Sequence, residues 1–260
     1  MPTQVKAIVD WLESIAPFST AEPYDNVGLL AGDPCASVDK ALFCLDVTDD
    51  VVREAVDKGA QLIIAHHPLM FSGVKRIDYT VPEGRILCAL LEARLNLIVA
   101  HTNWDRAQGG VSDSLAEKLG LREPVAVDEY VRMGNLETPL SADAFAAHVQ
   151  NCLGAHVRVY GEAQEPLSRV AVGPGACGEL VNVAVAAGAQ AFVVGEIDYD
   201  ELLFACGQGL VVFESGHYAT EFPGMVALYH RFQDNAASLL HVKPLLYSKA
   251  PFRGARSASQ

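Results

Sequence analysis

No two cysteines of this chain are spaced as CxxC; the six, at positions 35, 44, 88, 152, 177 and 206, are scattered. That argues against a zinc-knuckle or a disulfide framework and suits buried thiols in a reducing compartment. No apolar run approaches the roughly 18 residues that a membrane span needs. The N-terminus "MPTQVKAIVDWLES" carries no basic region ahead of an apolar core, so a soluble, cytoplasmic protein without membrane association is expected. Cations are also scarce, with 19 Lys and Arg against 32 Asp and Glu and a net charge of −13. No cationic cluster with interleaved aromatics offsets that charge, so nucleic acid is not expected as the main partner.

What the chain does have is apolar residues, half of its 260 positions, enough for a large core without covalent staples. Val5, Ile8, Val9, Leu12 and Ile15 recur at helical spacing from Thr3 to Ala16, with Thr3 as the cap and Pro17 as the stop. Lys40 to Val47 reads as a buried strand, and Thr48 to Gly59 as a helix with an acidic first turn and a terminating glycine. "AQLIIAHHP" is the next strand, Arg85 to Ala93 a helix, and "NLIVAHTNWD" (Asn96 to Asp105) a strand whose Asn103-Trp104 reads as its exit. Alternating strands and helices give an α/β fold with a largely buried sheet.

The stretch "VREAVDKGAQLIIAHH" (Val52 to His67) aligns without gaps onto "VNVAVAAGAQAFVVGE" (Val181 to Glu196), sharing the whole Gly-Ala-Gln turn, which suggests two related lobes. Where the first copy carries His66 and His67, the second carries Gly195 and Glu196. Val127 to Gly154 reads as a lobe connection, a strand and a Ser141-capped helix, and the boundary is placed near Pro124. The expected division is 1–124, 125–247, and a poorly ordered tail from Ser248 to Gln260, rich in Ser, Ala, Gly and Arg.

Four of the eight histidines fall in three motifs that each follow an apolar strand: "AHHP", "AHTNWD" and "GHYATE". Strand ends are where ligand sites of α/β sheets assemble. Adjacent residues of a strand point to opposite faces, but Pro68 cannot join a ladder and forces the chain to leave, so His66 and His67 can diverge. Ligation of two different metals fits this better than two ligands to one. His217 and Glu221 are four apart and share a face if a helix begins there. His101 and Asp105 have the same spacing. Mixed nitrogen and oxygen donors suit zinc, manganese or iron, and magnesium less well. Taken alone, a His-His dipeptide is more often a hydrogen-bonded structural pair, and the case for metal rests on three motifs at strand ends together. His148, His156, His230 and His241 lie in helical or strand-like surroundings and read as structural.

"YDNVGLLAG" (Tyr24 to Gly32), "IIAHHPLMF", "AHTNWD", "VGEID" and "ESGHYATE" together resemble the successive motifs of the Nif-three-like dinuclear metal proteins, the GTP cyclohydrolase 1 type 2 homologs, over about Ala7 to Val242. The resemblance implies two related three-layer α/β lobes with mixed sheets and a metal site in the cleft between them. It implies that His66 and Asp105 hold one divalent metal, that His67 and His217 hold the other, and that Glu221 bridges both. It also implies a homohexameric ring. Many relatives carry a threonine before the Gly-Glu pair and a histidine near position 200, whereas Val194 and Asp200 stand here.

Two divalent ions bring four positive charges, of which Asp105 and Glu221 neutralise two, so an anionic substrate and hydrolytic chemistry are expected. The leading reading is a metal-activated water that attacks C8 of GTP or another purine nucleotide and opens its imidazole ring, with His101 or Glu196 transferring the proton. Lys75 and Arg76 would meet the triphosphate or stay solvated. The competing readings are a two-metal phosphoesterase and a non-catalytic metal store, sensor or adaptor.

Overall fold

A computed structural model describes residues 3–251. It contains three sheets, of two, five and six strands, and the chain divides into two compact units, Met1–Asn103 with Tyr229–Gln260, and Trp104–Leu228.

The first unit is built on the five-stranded sheet, in the order Lys243–Leu246, Lys40–Cys44, Leu62–Ala65, Asn96–Val99, Gly28–Ala31. Its first four strands are parallel and the last is antiparallel. Two-faced burial explains the unbroken apolar runs of the central strands. One face sends Leu42, Ile63, Ala65, Leu97 and Val99 against Val51, Val52 and Ala55 of helix Asp49–Lys58 and Ile86 and Leu90 of helix Pro82–Glu92. The alternate residue Phe43 packs on the other face against Phe232, 5.3 Å between ring centroids, and Phe232 meets Trp11 of helix Val5–Ile15 edge-on at 5.0 Å. The result is three layers.

The second unit holds the six-stranded sheet, in the order Arg122–Ala126, Arg132–Leu140, Leu167–Gly173, Ala191–Val194, Val211–Glu214, Arg158–Tyr160. Its three central strands 167–173, 191–194 and 211–214 run parallel and are flanked by antiparallel partners. Val170, Val172, Val193 and Phe213 face a core with Leu115, Phe145 and Val149, while Ala171, Phe192, Val194 and Val212 face another with Val181, Ala184 and Ala205. Alternation along each strand thus feeds two helical layers here as well. The mixed α/β class read from the sequence holds.

Two local expectations hold, the Gly59 stop and the Ser141 cap. Thr48 caps helix Asp49–Lys58 by accepting Val51 N–H, and Gly59 ends it at φ 65°. Ser141 caps helix Ala142–Leu153 through Ala144 N–H. Others need correction. Thr3 does not cap the first helix: it pairs with Val38 in a two-residue strand, and Gln4 takes the cap position without a side-chain bond. Residues Thr102–Arg106 form a short helix instead of a strand exit. The strand Lys243–Leu246 pairs in parallel with Lys40–Cys44, so the C-terminal segment belongs to the first unit, and the division does not fall near Pro124. Chain connection inside helices Thr102–Arg106 and His217–Asn235 hides that division from a search for loop-like linkers. Of the tail from Ser248, residues 252–260 lie outside the described residues. No helix among the described residues is long and apolar enough to cross a membrane.

Candidate metal centre

At the end of strand Leu62–Ala65 the ladder stops as Pro68 approaches, and the amide of His67 turns to Leu45 O at 2.9 Å. That turn presents both rings at the strand tip, His66 fully buried and His67 partly so. His101 arrives one strand over, two residues past Asn96–Val99. The three centroids are 5.0, 5.1 and 5.5 Å apart, and one ring nitrogen from each lies within 4.8 Å of the others. Such a group could hold a metal ion.

Each ring is held by its Nδ1. His66 donates to Ala100 O at 2.8 Å, His67 to Asp46 Oδ1 at 2.8 Å, and His101 to Asp25 Oδ1 at 2.9 Å. An acceptor on Nδ1 fixes the tautomer, leaving Nε2 as the nitrogen through which each ring would bind an ion. Metal-ligating histidines are oriented in this way, and the donor set fits a divalent metal.

Asp46 and Asp25 escaped the sequence reading because their partners lie 21 and 76 residues away. Burial by itself would raise the Asp25 carboxyl, but hydrogen bonds from His101, Thr102 and the Asn26 amide outweigh it and hold the group far below the usual carboxylate range. It therefore stays ionised behind His101. The only signal for it was the "YDN" of the first family motif.

In the second unit His217 opens helix His217–Asn235 after Gly216, whose φ of 85° lets the chain turn tightly. The helical i, i+4 spacing brings His217 Nε2 to 3.0 Å from Glu221 Oε1. Glu196, just past strand Ala191–Val194, reaches His217 Nδ1 at 3.3 Å, the place of an orienting carboxylate. Asp105 is buried on helix Thr102–Arg106. The Cys177 thiol is pushed far up by burial first, then by the charges of Asp105 and Glu221, so both carboxylates bear on one neighbourhood of this unit.

The remaining residues singled out from sequence divide clearly. His148 donates to Leu119 O at 2.9 Å, and His156 bonds Val157 O at 3.2 Å, both structural uses. Val194 is fully buried in the sheet core, so that departure from the family pattern serves packing. Asp200 is exposed in the first turn of helix Tyr199–Gly207. Lys75 and Arg76 are exposed in a loop of the first unit.

Known proteins match over nearly the whole chain. A GTP cyclohydrolase 1 type 2 homolog of Clostridium perfringens is 29% identical over 254 residues, 94% of this chain and 97% of its own. A hypothetical protein of Staphylococcus aureus superposes with a TM-score of 0.91 at 27% identity, over 98% of this chain and 100% of that one. A Bacillus cereus protein related to NIF3 superposes with a TM-score of 0.93 over 98% and 99%; at 22% identity that likeness speaks for the fold alone. The family resemblance read from the motifs is matched by a family model that takes in residues 3–250, and the chain belongs to Duf34/NIF3 (NGG1p interacting factor 3).

Proposed function

We propose that the protein binds two divalent metal ions and is a metal-dependent hydrolase of the GTP cyclohydrolase type, opening the imidazole ring of a purine nucleotide at C8. In this reading His66 and Asp105 hold one ion, His67 and His217 the other, and Glu221 bridges them. The observation that carries it is the arrangement of Nδ1 acceptors behind His66 and His67, which spends one nitrogen of each ring on orientation and leaves the other for an ion. The His217–Glu221 contact and the name of the Clostridium relative add support.

Zinc, manganese or iron fits the mixed nitrogen and oxygen donors better than magnesium. A pair of such ions supplies Lewis acidity and lowers the pKa of water toward neutrality. His101 is the proton carrier of this scheme: Asp25 on its Nδ1 orients the ring, so that Nε2 is the nitrogen that takes a proton and returns it. Glu196 keeps the His217 ring in place. Lys75 and Arg76 supply charge for a triphosphate. A homohexamer in the cytoplasm completes the reading.

Elemental analysis of protein purified without chelators, beside His67→Ala and Glu221→Ala, tests the ligand set, and GTP incubated with the metal-loaded protein tests the reaction. Two metals in the wild type, fewer in both variants and a ring-opened product are expected. Unchanged stoichiometry in both variants overturns the ligand set. Tight binding of two metals with intact GTP overturns the cyclohydrolase reading alone. Light scattering reads the oligomer.

A further inference from the structure

Beside the histidine group, the first unit leaves two aromatic rings at its surface. Tyr24 is 65% exposed and Phe71 50%. Their centroids lie 6.1 Å apart with planes inclined by 31°, and Phe71 stands 6.3 Å from the His101 ring, inclined at 79°. Aromatic rings bring a large apolar area to any contact that desolvates them, so a side-by-side exposed pair next to a polar ring is an available binding surface.

Both rings are also held in position. The Asn26 carboxamide donates to Met70 O at 2.6 Å, tying the segment that carries Tyr24 to the one that carries Phe71. Asp25, between Tyr24 and Asn26, holds His101. Three consecutive residues thus supply a ring, fix an imidazole and fasten a loop. The same loop continues into the exposed cations Lys75 and Arg76. A planar heteroaromatic ring with an anionic substituent matches that order of features.

We infer that Tyr24 and Phe71 form an aromatic platform on which the base of a nucleotide stacks beside His101. The inference rests on the nucleotide reading above for the class of ligand. It assigns ring recognition to Tyr24 and Phe71, and the phosphate end to the cations.

The test measures binding of GTP, guanosine and inorganic tripolyphosphate to the full-length, metal-replete protein by calorimetry, in the wild type and in Tyr24→Ala, Phe71→Ala, Phe71→Trp and Phe71→Leu. Both alanine variants should weaken GTP and guanosine by roughly 5- to 150-fold and leave tripolyphosphate unchanged. Phe71→Trp should restore binding and Phe71→Leu should not. The guanosine H8 resonance should move upfield on the wild type and stay put on Phe71→Ala. Alanine variants that melt like the wild type and bind GTP as tightly overturn the platform. So does Phe71→Leu at wild-type affinity, a wild type that holds tripolyphosphate as tightly as GTP, or one that binds none of the three. If GTP binding depends on Phe71 but no ring opens, the reaction fails and the platform stands.

Discussion

Gly59-Ala60-Gln61 and Gly188-Ala189-Gln190 turn the chain in the same way in the two units. Both glycines sit in the left-handed region, at φ 65° and 76°, and Ala60 and Ala189 return amide bonds to Ala55 O and Ala184 O at 2.8 and 3.1 Å. Gln61 Oε1 accepts the amides of Asp39 and Lys40, and Gln190 Oε1 those of Ser168 and Arg169, all between 2.9 and 3.1 Å. Four strand residues later the copies part. The first ends in His66-His67, whereas a Cβ on Gly195 of the second would lie 2.4 Å from Gly175 O and 2.7 Å from Thr220 Oγ1. Gly175, at φ +58°, is bare for a related reason, since a Cβ there would lie 2.1 Å from Glu221 Oε1. The second unit takes its imidazole from the following helix and clears its strand ends to seat that helix. The scaffold is repeated, and the chemistry at its end is not.

The largest expected effect separates how the two units support their rings. The Asp25 side chain is fully buried and serves His101, Thr102 and the Asn26 amide. Asp25→Ala should cost about 3–5 kcal/mol. Glu196, 59% exposed on its side chain, supports His217 at the surface, and Glu196→Ala should cost about 1 kcal/mol or less. Chemical denaturation measures both. The pH dependence follows from the sign of the shift. The folded Asp25 carboxyl lies below its unfolded value of roughly 3.9. Its contribution is then complete above that value and lost as the pH falls through the folded one. The gap between wild type and Asp25→Ala should therefore close as the pH falls below about 4. A gap that stays open below that pH would contradict the assignment.

Gly195→Ala comes next. Both the carbonyl and the hydroxyl facing Gly195 would have to move, at about 1–3 kcal/mol. The matching step in the first copy, His66→Ala, removes a ring and adds no clash, so it should show first as lost metal and only then as lost stability. Smaller again is Asp46→Asn, which keeps the shape but weakens the acceptor on His67 Nδ1. Metal affinity should fall about 10- to 100-fold. A titration that gives wild-type affinity would remove Asp46 from the site.

Much of this was legible because its causes are local. The Ser141 cap and the Gly59 stop each depend on neighbours a few residues away, and the buried strand at Lys40–Cys44 declares itself by an unbroken apolar run. The histidine motifs could be read because strand ends mark themselves by where apolar runs stop. Asp25 and Asp46 could not, since a carboxylate becomes an orienting group only through a partner that folding brings to it. The C-terminal strand Lys243–Leu246 was misassigned for the same reason: its place is set by pairing with Lys40–Cys44, some 200 residues earlier. Thr3 has a good capping side chain, but the Val38 ladder outbids it.

The smallest effect tests the shared scaffold itself. Each turn glutamine satisfies two backbone amides at the start of the neighbouring strand, a role that depends on its oxygen. Gln61→Ala and Gln190→Ala should therefore each cost about 1 kcal/mol, and their costs should agree within about 0.5 kcal/mol. Gln61 also donates through Nε2 to Gly59 O at 2.8 Å, which glutamate cannot do. Gln61→Glu keeps the acceptor for Asp39 and Lys40 and so should recover most of the loss, leaving a residue of a few tenths of a kcal/mol for the missing donor. If Gln61→Ala is costly and Gln190→Ala is silent, the matching sequences hide different structural needs, and the two turns resemble each other only in letters.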